Sequence, residues 1–279
     1  MRPRKQIVYY PNMNVRAGLA ESFIKMASEL VRSRELILRL FLRDFRAKYK
    51  QSFLGVSWAV IMPFITIAVF VYLKSTGIVT FRVTEMPYIV FALIGISTYG
   101  IFSGGLLACS TSIVSVGKMV KKINFPKISL VFAAFGQVFV DFMVRLILIV
   151  LACLLLDVTP SWKSVFFPLV LLPLILLTLG LGLLLSILTA IARDTQNILS
   201  IFTMFIMFLT PVVYPISDSN PLRIWNPLSH FVVSARELIV MGTVSNVRGL
   251  LFASAFALFV FAVSWRVFYI AEIRIAERI

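Results

Sequence analysis

Hydrophobic positions along this chain fall into long uncharged blocks, not into the alternation of strands or the single stripe of a surface helix. Five blocks lack any Asp, Glu, Lys or Arg: 51–73, 86–117, 164–192, 195–217 and 249–265. A sixth, 128–156, is broken only by Asp141 and Arg145. A helix needs roughly 20 apolar residues to cross a bilayer core, so the pattern predicts six transmembrane helices and an all-α integral membrane fold. The last block is short, but Arg266 can snorkel and let the span run on to Ala271. The 86–117 block exceeds one crossing, so its helix should tilt, break or continue beyond the membrane. The chain divides into a polar N-terminal region (1–53), a six-helix transmembrane domain (54–271) and a short tail (272–279).

The segments between blocks carry their own pattern. Residues 35–50, ELILRLFLRDFRAKYK, put Leu36, Ile37, Leu40, Phe41, Phe45 and Tyr49 at helical spacing among Arg39, Arg43, Arg46 and Lys50. This predicts an amphipathic basic helix lying in the membrane surface. Residues 17–33 predict a second helix, with Leu19, Phe23, Met26 and Leu30 on one face. The loop 115–127 crowds Lys118, Lys121, Lys122 and Lys127 beside Met119, Val120, Ile123 and Phe125, and Pro126 ends any helix there. Lysines alone mark a cytoplasmic loop; the interleaved apolar residues suit a groove on a partner. Segment 215–249 holds Pro215, Pro221 and Pro227 and then an apolar stretch too short to span, which predicts a re-entrant or interfacial element on the outer side.

Composition agrees: 60% of residues are hydrophobic and only 14% charged, which excludes an ordinary soluble enzyme and disorder. The net charge of +15 points to anionic lipid head groups, and nucleic acid is a poor partner for a chain that belongs mostly in lipid. Six spans place 20 Lys and Arg on the side of the termini and six on the other, so both termini are expected in the cytoplasm. Trp58 and Trp265 then fall near the inner interface, Trp162 and Trp225 near the outer one. No signal peptide is expected, because the first apolar block follows about fifty polar and basic residues. Cys109 and Cys153 read as small core residues.

Asp141 and Arg145 are four apart, which places them on one helical face and predicts an intramembrane ion pair. The pair either lines a polar path or joins helices. Aromatic residues concentrate in the first span (Phe64, Phe70, Tyr72) and the fifth (Phe202, Phe205, Phe208, Tyr214), for packing, lipid contact or sugar stacking. Gly95, Gly100, Gly104, Gly105, Gly180 and Gly182 permit close helix contact or act as hinges. Catalytic patterns are missing: there is no phosphate-binding G-x-x-x-x-G-K-[ST], one histidine (His230), and no carboxylate pair in an outer loop. Transport across the membrane is the reading that remains, with no catalytic, cofactor or metal site in this chain.

Several segments carry a resemblance. Arg43-Asp44 with Tyr49, Leu54-Gly55-Val56-Ser57-Trp58 and Pro63, then Lys122-Ile123-Asn124-Phe125-Pro126-Lys127, then Arg193-Asp194 and Thr210-Pro211-Val212-Val213-Tyr214-Pro215, then Asn226-Pro227-Leu228, Arg236 and Gly242 occur in order. Together they resemble the permease subunits of ABC type-2 polysaccharide exporters (O-antigen, capsule, teichoic acid). The resemblance covers about residues 35–270 and leaves 1–34 without a role. It implies a multi-pass protein of a bacterial inner membrane, paired with a second copy of itself. Two cytoplasmic ATP-binding-cassette subunits would carry ATP and Mg²⁺, and the substrate would be a lipid-linked glycan. Lys118, Lys121, Lys122, Phe125 and Lys127 would then couple the ATPase to the spans. Arg43, Arg46, Lys48 and Lys50 would meet the lipid head group, and Phe64, Tyr72, Phe205, Phe208 and Tyr214 would line the channel. A same-fold permease for a small lipid or drug, and an ATP-independent channel or secondary transporter coupled through Asp141, remain open alternatives.

Overall fold

The structure, a computed structural model, describes residues 18–50, 57–77, 86–116, 125–217 and 219–278. Among these the chain is helical throughout. Its helices are α1 (Leu19–Arg32), α2 (Arg34–Lys50), α3 (Trp58–Ser75), α4 (Tyr88–Val116), α5 (Ile128–Leu155), α6 (Phe167–Ile191), α7 (Thr195–Phe208), α8 (Pro221–Trp225), α9 (Pro227–Val240) and α10 (Val247–Arg278). A 3-10 turn, Trp162–Phe166, leads into α6.

Four helical segments are long and apolar enough to cross a membrane: Tyr88–Val116, Ile128–Leu155, Trp162–Ile191 and Val247–Glu272. The long 86–117 block is one helix of 29 residues, about 44 Å at 1.5 Å per residue, so it continues beyond a bilayer core of about 30 Å. The last block extends well past Arg266 into a helix of 32 residues. The expected first and fifth spans are shorter: the apolar part of α3 is Val60–Leu73, and α7 has 14 residues, about 21 Å.

The core lies where α6 packs along both α4 and α10, and α5 packs along α4. Small residues let these backbones approach. A Cβ on Gly180 of α6 would stand 2.8 Å from the Phe261 Cα of α10, and one on Gly182 would stand 2.6 Å from the Cys109 Cβ of α4. The glycines anticipated as contact points are therefore seams between helices. Cys109 and Cys153 are both free and buried, as expected of core residues.

The helix anticipated at 17–33 forms as α1. Met26 and Ser22 are fully buried, and the Phe23 ring stacks on Trp265 of α10 at 5.4 Å. Trp265 also meets Phe132 of α5 and Phe261. It is a buried core residue and not the interfacial belt residue its position suggested, because α1 covers it. Trp162 and Trp225 are exposed, as belt residues would be.

Candidate functional site

Before α5, the segment 115–127, expected to couple to an ATPase, is described only at its margins; Lys118, Lys121 and Lys122 lie outside the described residues. Val116 closes α4. Phe125 is half-buried, and the buried Lys127 begins α5. The Lys127 backbone N–H donates to the Glu272 carboxylate of α10 at 2.5 Å, so the exit of the loop is tied to the last helix. Helix α1 lies beside this junction. Its exposed Glu21 carboxyl is held below the usual range, first by the hydrogen bond from Lys25 and then by the Lys25 charge. Burial pushes the Glu29 carboxyl up, with Arg32 and Lys25 opposing.

Helix α2 presents the expected basic face. Arg46 is exposed, and Arg43 bonds Asp44 at 2.7 Å; the Lys50 side chain lies outside the described residues. The apolar face is not left to lipid alone: Leu40 is buried, and Phe41 fills the space above Gly136 of α5.

Asp141 and Arg145, the expected ion pair, lie one turn apart on α5, and a third charge joins them. Asp141 accepts a hydrogen bond from Lys48 of α2 at 2.8 Å. Arg145, a turn further along, lays its guanidinium on Gly100 of α4, and among the described residues its buried Nε has no hydrogen-bond partner. The i, i+4 spacing holds, but α2 lies against α5 and delivers an ammonium group from 93 residues away, which a helical wheel cannot anticipate.

The aromatic residues are displayed outward. Phe64 and Tyr72 of α3 and Phe205 and Phe208 of α7 are exposed, Tyr72 by 65% and Phe205 by 66%. Tyr214 is half-buried and its hydroxyl donates to the Phe208 carbonyl. Within the chain the two sets occupy different helices, and α4 is a neighbour of both.

The C-terminal end of α7 and the segment after it gather side-chain donors from Tyr88, Asn226 and Arg236. Pro211 cannot continue the helix, so the carbonyls around it need other donors. Asn226 Nδ2 donates to Leu209 O (3.2 Å) and Thr210 Oγ1 (2.9 Å). Tyr88 Oη donates to Val213 O at 2.9 Å. The fully buried Arg236 of α9 donates through Nε to Phe91 O of α4 (3.0 Å) and through its two terminal nitrogens to Pro211 O (2.5 Å) and Val212 O. The Thr-Pro-Val-Val-Tyr-Pro, Asn-Pro-Leu and Arg segments, separate in sequence, are one cluster in space. Sequence reasoning noted Arg236 only as part of a motif; its position in a short apolar stretch was the available signal.

The segment 215–249 forms α8 and α9, with Asn220 and Asn226 capping their first turns. Helix α9 packs on α4, α6 and α10. Among the described residues no group of three His, Cys, Asp or Glu side chains could hold a metal.

The sequence profile of a family described as ABC-2 type transporter matches residues 35–240. The chain is 25% identical over 228 residues to an O-antigen export system permease protein RfbA of Klebsiella pneumoniae, covering 80% of this chain and 86% of that protein. It is 28% identical over 194 residues to the protein of the same name from Myxococcus xanthus (70% and 74%). The polysialic acid transport protein KpsM of Escherichia coli is 25% identical over 229 residues (78% and 86%). The profile spans most of the chain, including α2, the segment 115–127 and the cluster around Arg236, and the chain belongs to the ABC-2 type transporter family.

Proposed function

We propose that this chain is the membrane subunit of an ATP-driven exporter that moves a lipid-linked polysaccharide across a bacterial inner membrane. The observation that carries the reading is the likeness over most of its length to permeases named for O-antigen and polysialic acid transport. The exposed aromatic faces of α3 and α7 support it, since a second copy would bring two such faces together around a path on which sugar rings can stack. In this reading α3 and α7 complete six spans, short because they line a path instead of crossing a full lipid thickness. Helices α8 and α9 are re-entrant from the outer side, both termini are cytoplasmic, and two ATPase subunits bind ATP and Mg²⁺.

The head group meets Arg43, Arg46 and Lys50 on α2, with Lys48 shared with Asp141. The ATPase pushes through Lys118, Lys121, Lys122, Phe125 and Lys127. Because Lys127 is bonded to Glu272, the push reaches α5 and α10 together.

Affinity purification of the tagged chain from native membranes tests the class: a stoichiometric ATPase subunit is expected, and its absence under mild detergent would refute it. Tyr72→Ala and Phe208→Ala test the path, with glycan export measured against membrane level. Wild-type export in both would remove the aromatic path.

A further inference from the structure

We propose that Arg236 is a positioning residue that latches the outer end of α7 to α4 and α9, so that these three elements move as one body during transport. The proposal concerns how the path opens and does not depend on which substrate passes.

The first observation is the state of the cation. Arg236 is fully buried, and among the described residues its partners are carbonyl oxygens and a ring, with no carboxylate. A buried charge without an opposite charge is costly unless its hydrogen-bonding capacity is filled. Here all three guanidinium nitrogens donate, and the plane lies 3.6 Å from the centre of the Phe91 ring.

The second observation is where the acceptors come from. Phe91 O belongs to the first turn of α4, whereas Pro211 O and Val212 O belong to the segment that follows α7. One planar fork from α9 therefore bridges two other elements. Lysine cannot reproduce this, because a single ammonium group lacks the fixed fork.

The third is the shape of the seat. Gly95 of α4 faces both Val212 O and the Arg236 terminal nitrogen, and a Cβ there would overlap both. The glycine admits the carbonyl and the cation together. Tyr88 and Asn226 bond the flanking carbonyls, so the backbone from Leu209 to Val213 is held from α4 and from the start of α9.

Tying the outer end of α7 to α4 leaves α7 two ways to move: with α4, or by bending below the latch. Separation of α7 from α4 at this end would break the Tyr88 bond to Val213 O and take Arg236 either from Phe91 O or from Pro211 O and Val212 O, leaving donors or acceptors unpaired in an apolar surrounding, where they are costly.

The test places a reporter beneath the latch in the full chain. Val213 is fully buried, and the two native cysteines are buried, so Val213→Cys gives a clean site for a membrane-impermeant maleimide. Labelling is measured in native membranes, from both faces, with export running and after ATP depletion. With Arg236 present, Cys at 213 is expected to stay unlabelled in both states. R236Q is expected to raise labelling at least about tenfold, the factor expected for one lost charge-assisted hydrogen bond. G95A is expected to raise it comparably without touching the charge, and the double variant no further, as for two changes that break one contact.

Labelling of the Arg236 protein during export would overturn the latch, as would protection in R236Q or additive effects of the two changes. If R236Q fails to accumulate, the G95A variant and the comparison of resting and exporting membranes still decide.

Discussion

The seam between α6 and α10 gives a sharp energetic prediction. An ideal Cβ on Gly180 stands 2.8 Å from Phe261 Cα and 3.2 Å from its nitrogen. These are backbone atoms that cannot rotate aside. Ordinary carbon contact begins near 3.4 Å, so Gly180→Ala requires the two helices to part by about 0.6 Å or to strain. Overpacking of this kind costs about 1–3 kcal/mol. Alanine returns about 1 kcal/mol through helix propensity, leaving a net loss of about 0–2 kcal/mol.

Gly104→Ala is the internal control. Its Cβ would sit 3.5 Å from a Val138 methyl, an ordinary contact, so it should be neutral or stabilising by up to about 1 kcal/mol. The two variants should thus differ by about 2 kcal/mol despite identical chemistry. The assay is reversible unfolding in mixed micelles of rising SDS fraction. Trp265 fluorescence reports the same seam, because its ring lies 5.2 Å from that of Phe261. Equal stability of the two variants would refute the close crossing of α6 and α10.

The other predictions concern α1, α2 and the start of α5. Glu272→Ala removes the acceptor at the start of α5 and should cost about 1 kcal/mol, like other lost caps, with faster amide exchange at 127–130; Glu272→Gln keeps an acceptor and should restore most of the protection. Phe23→Ala should shift Trp265 emission to longer wavelength in a chain whose other three tryptophans are phenylalanine; an unchanged spectrum would mean that α1 does not cover that ring. Lys48→Ala and Asp141→Asn should show a coupling of about 1 kcal/mol or less in a double-mutant cycle, because the pair is partly exposed.

Much of this molecule is legible without coordinates. Block length and the absence of charge determine that the chain is helical and crosses a membrane, because a bilayer core leaves backbone groups no partner except their own helix. Periodicity alone defines α1 and α2, and small residues mark the seams.

Contacts made across the fold were beyond the sequence. Trp265 reads as an interfacial residue until α1, from the other end of the chain, covers it. Asp141 reads as the partner of Arg145 alone until α2 brings Lys48 to it. Arg236, Pro211 and Asn226 read as separate segments of one resemblance, and Gly95 as a contact or hinge glycine, until the carbonyls beside Pro211 gather them in one place. Local order follows from spacing along the chain, because each helix satisfies its own backbone. Which polar group answers which depends on helices that meet only after folding, and there a buried donor or acceptor takes whatever partner the tertiary structure sets beside it.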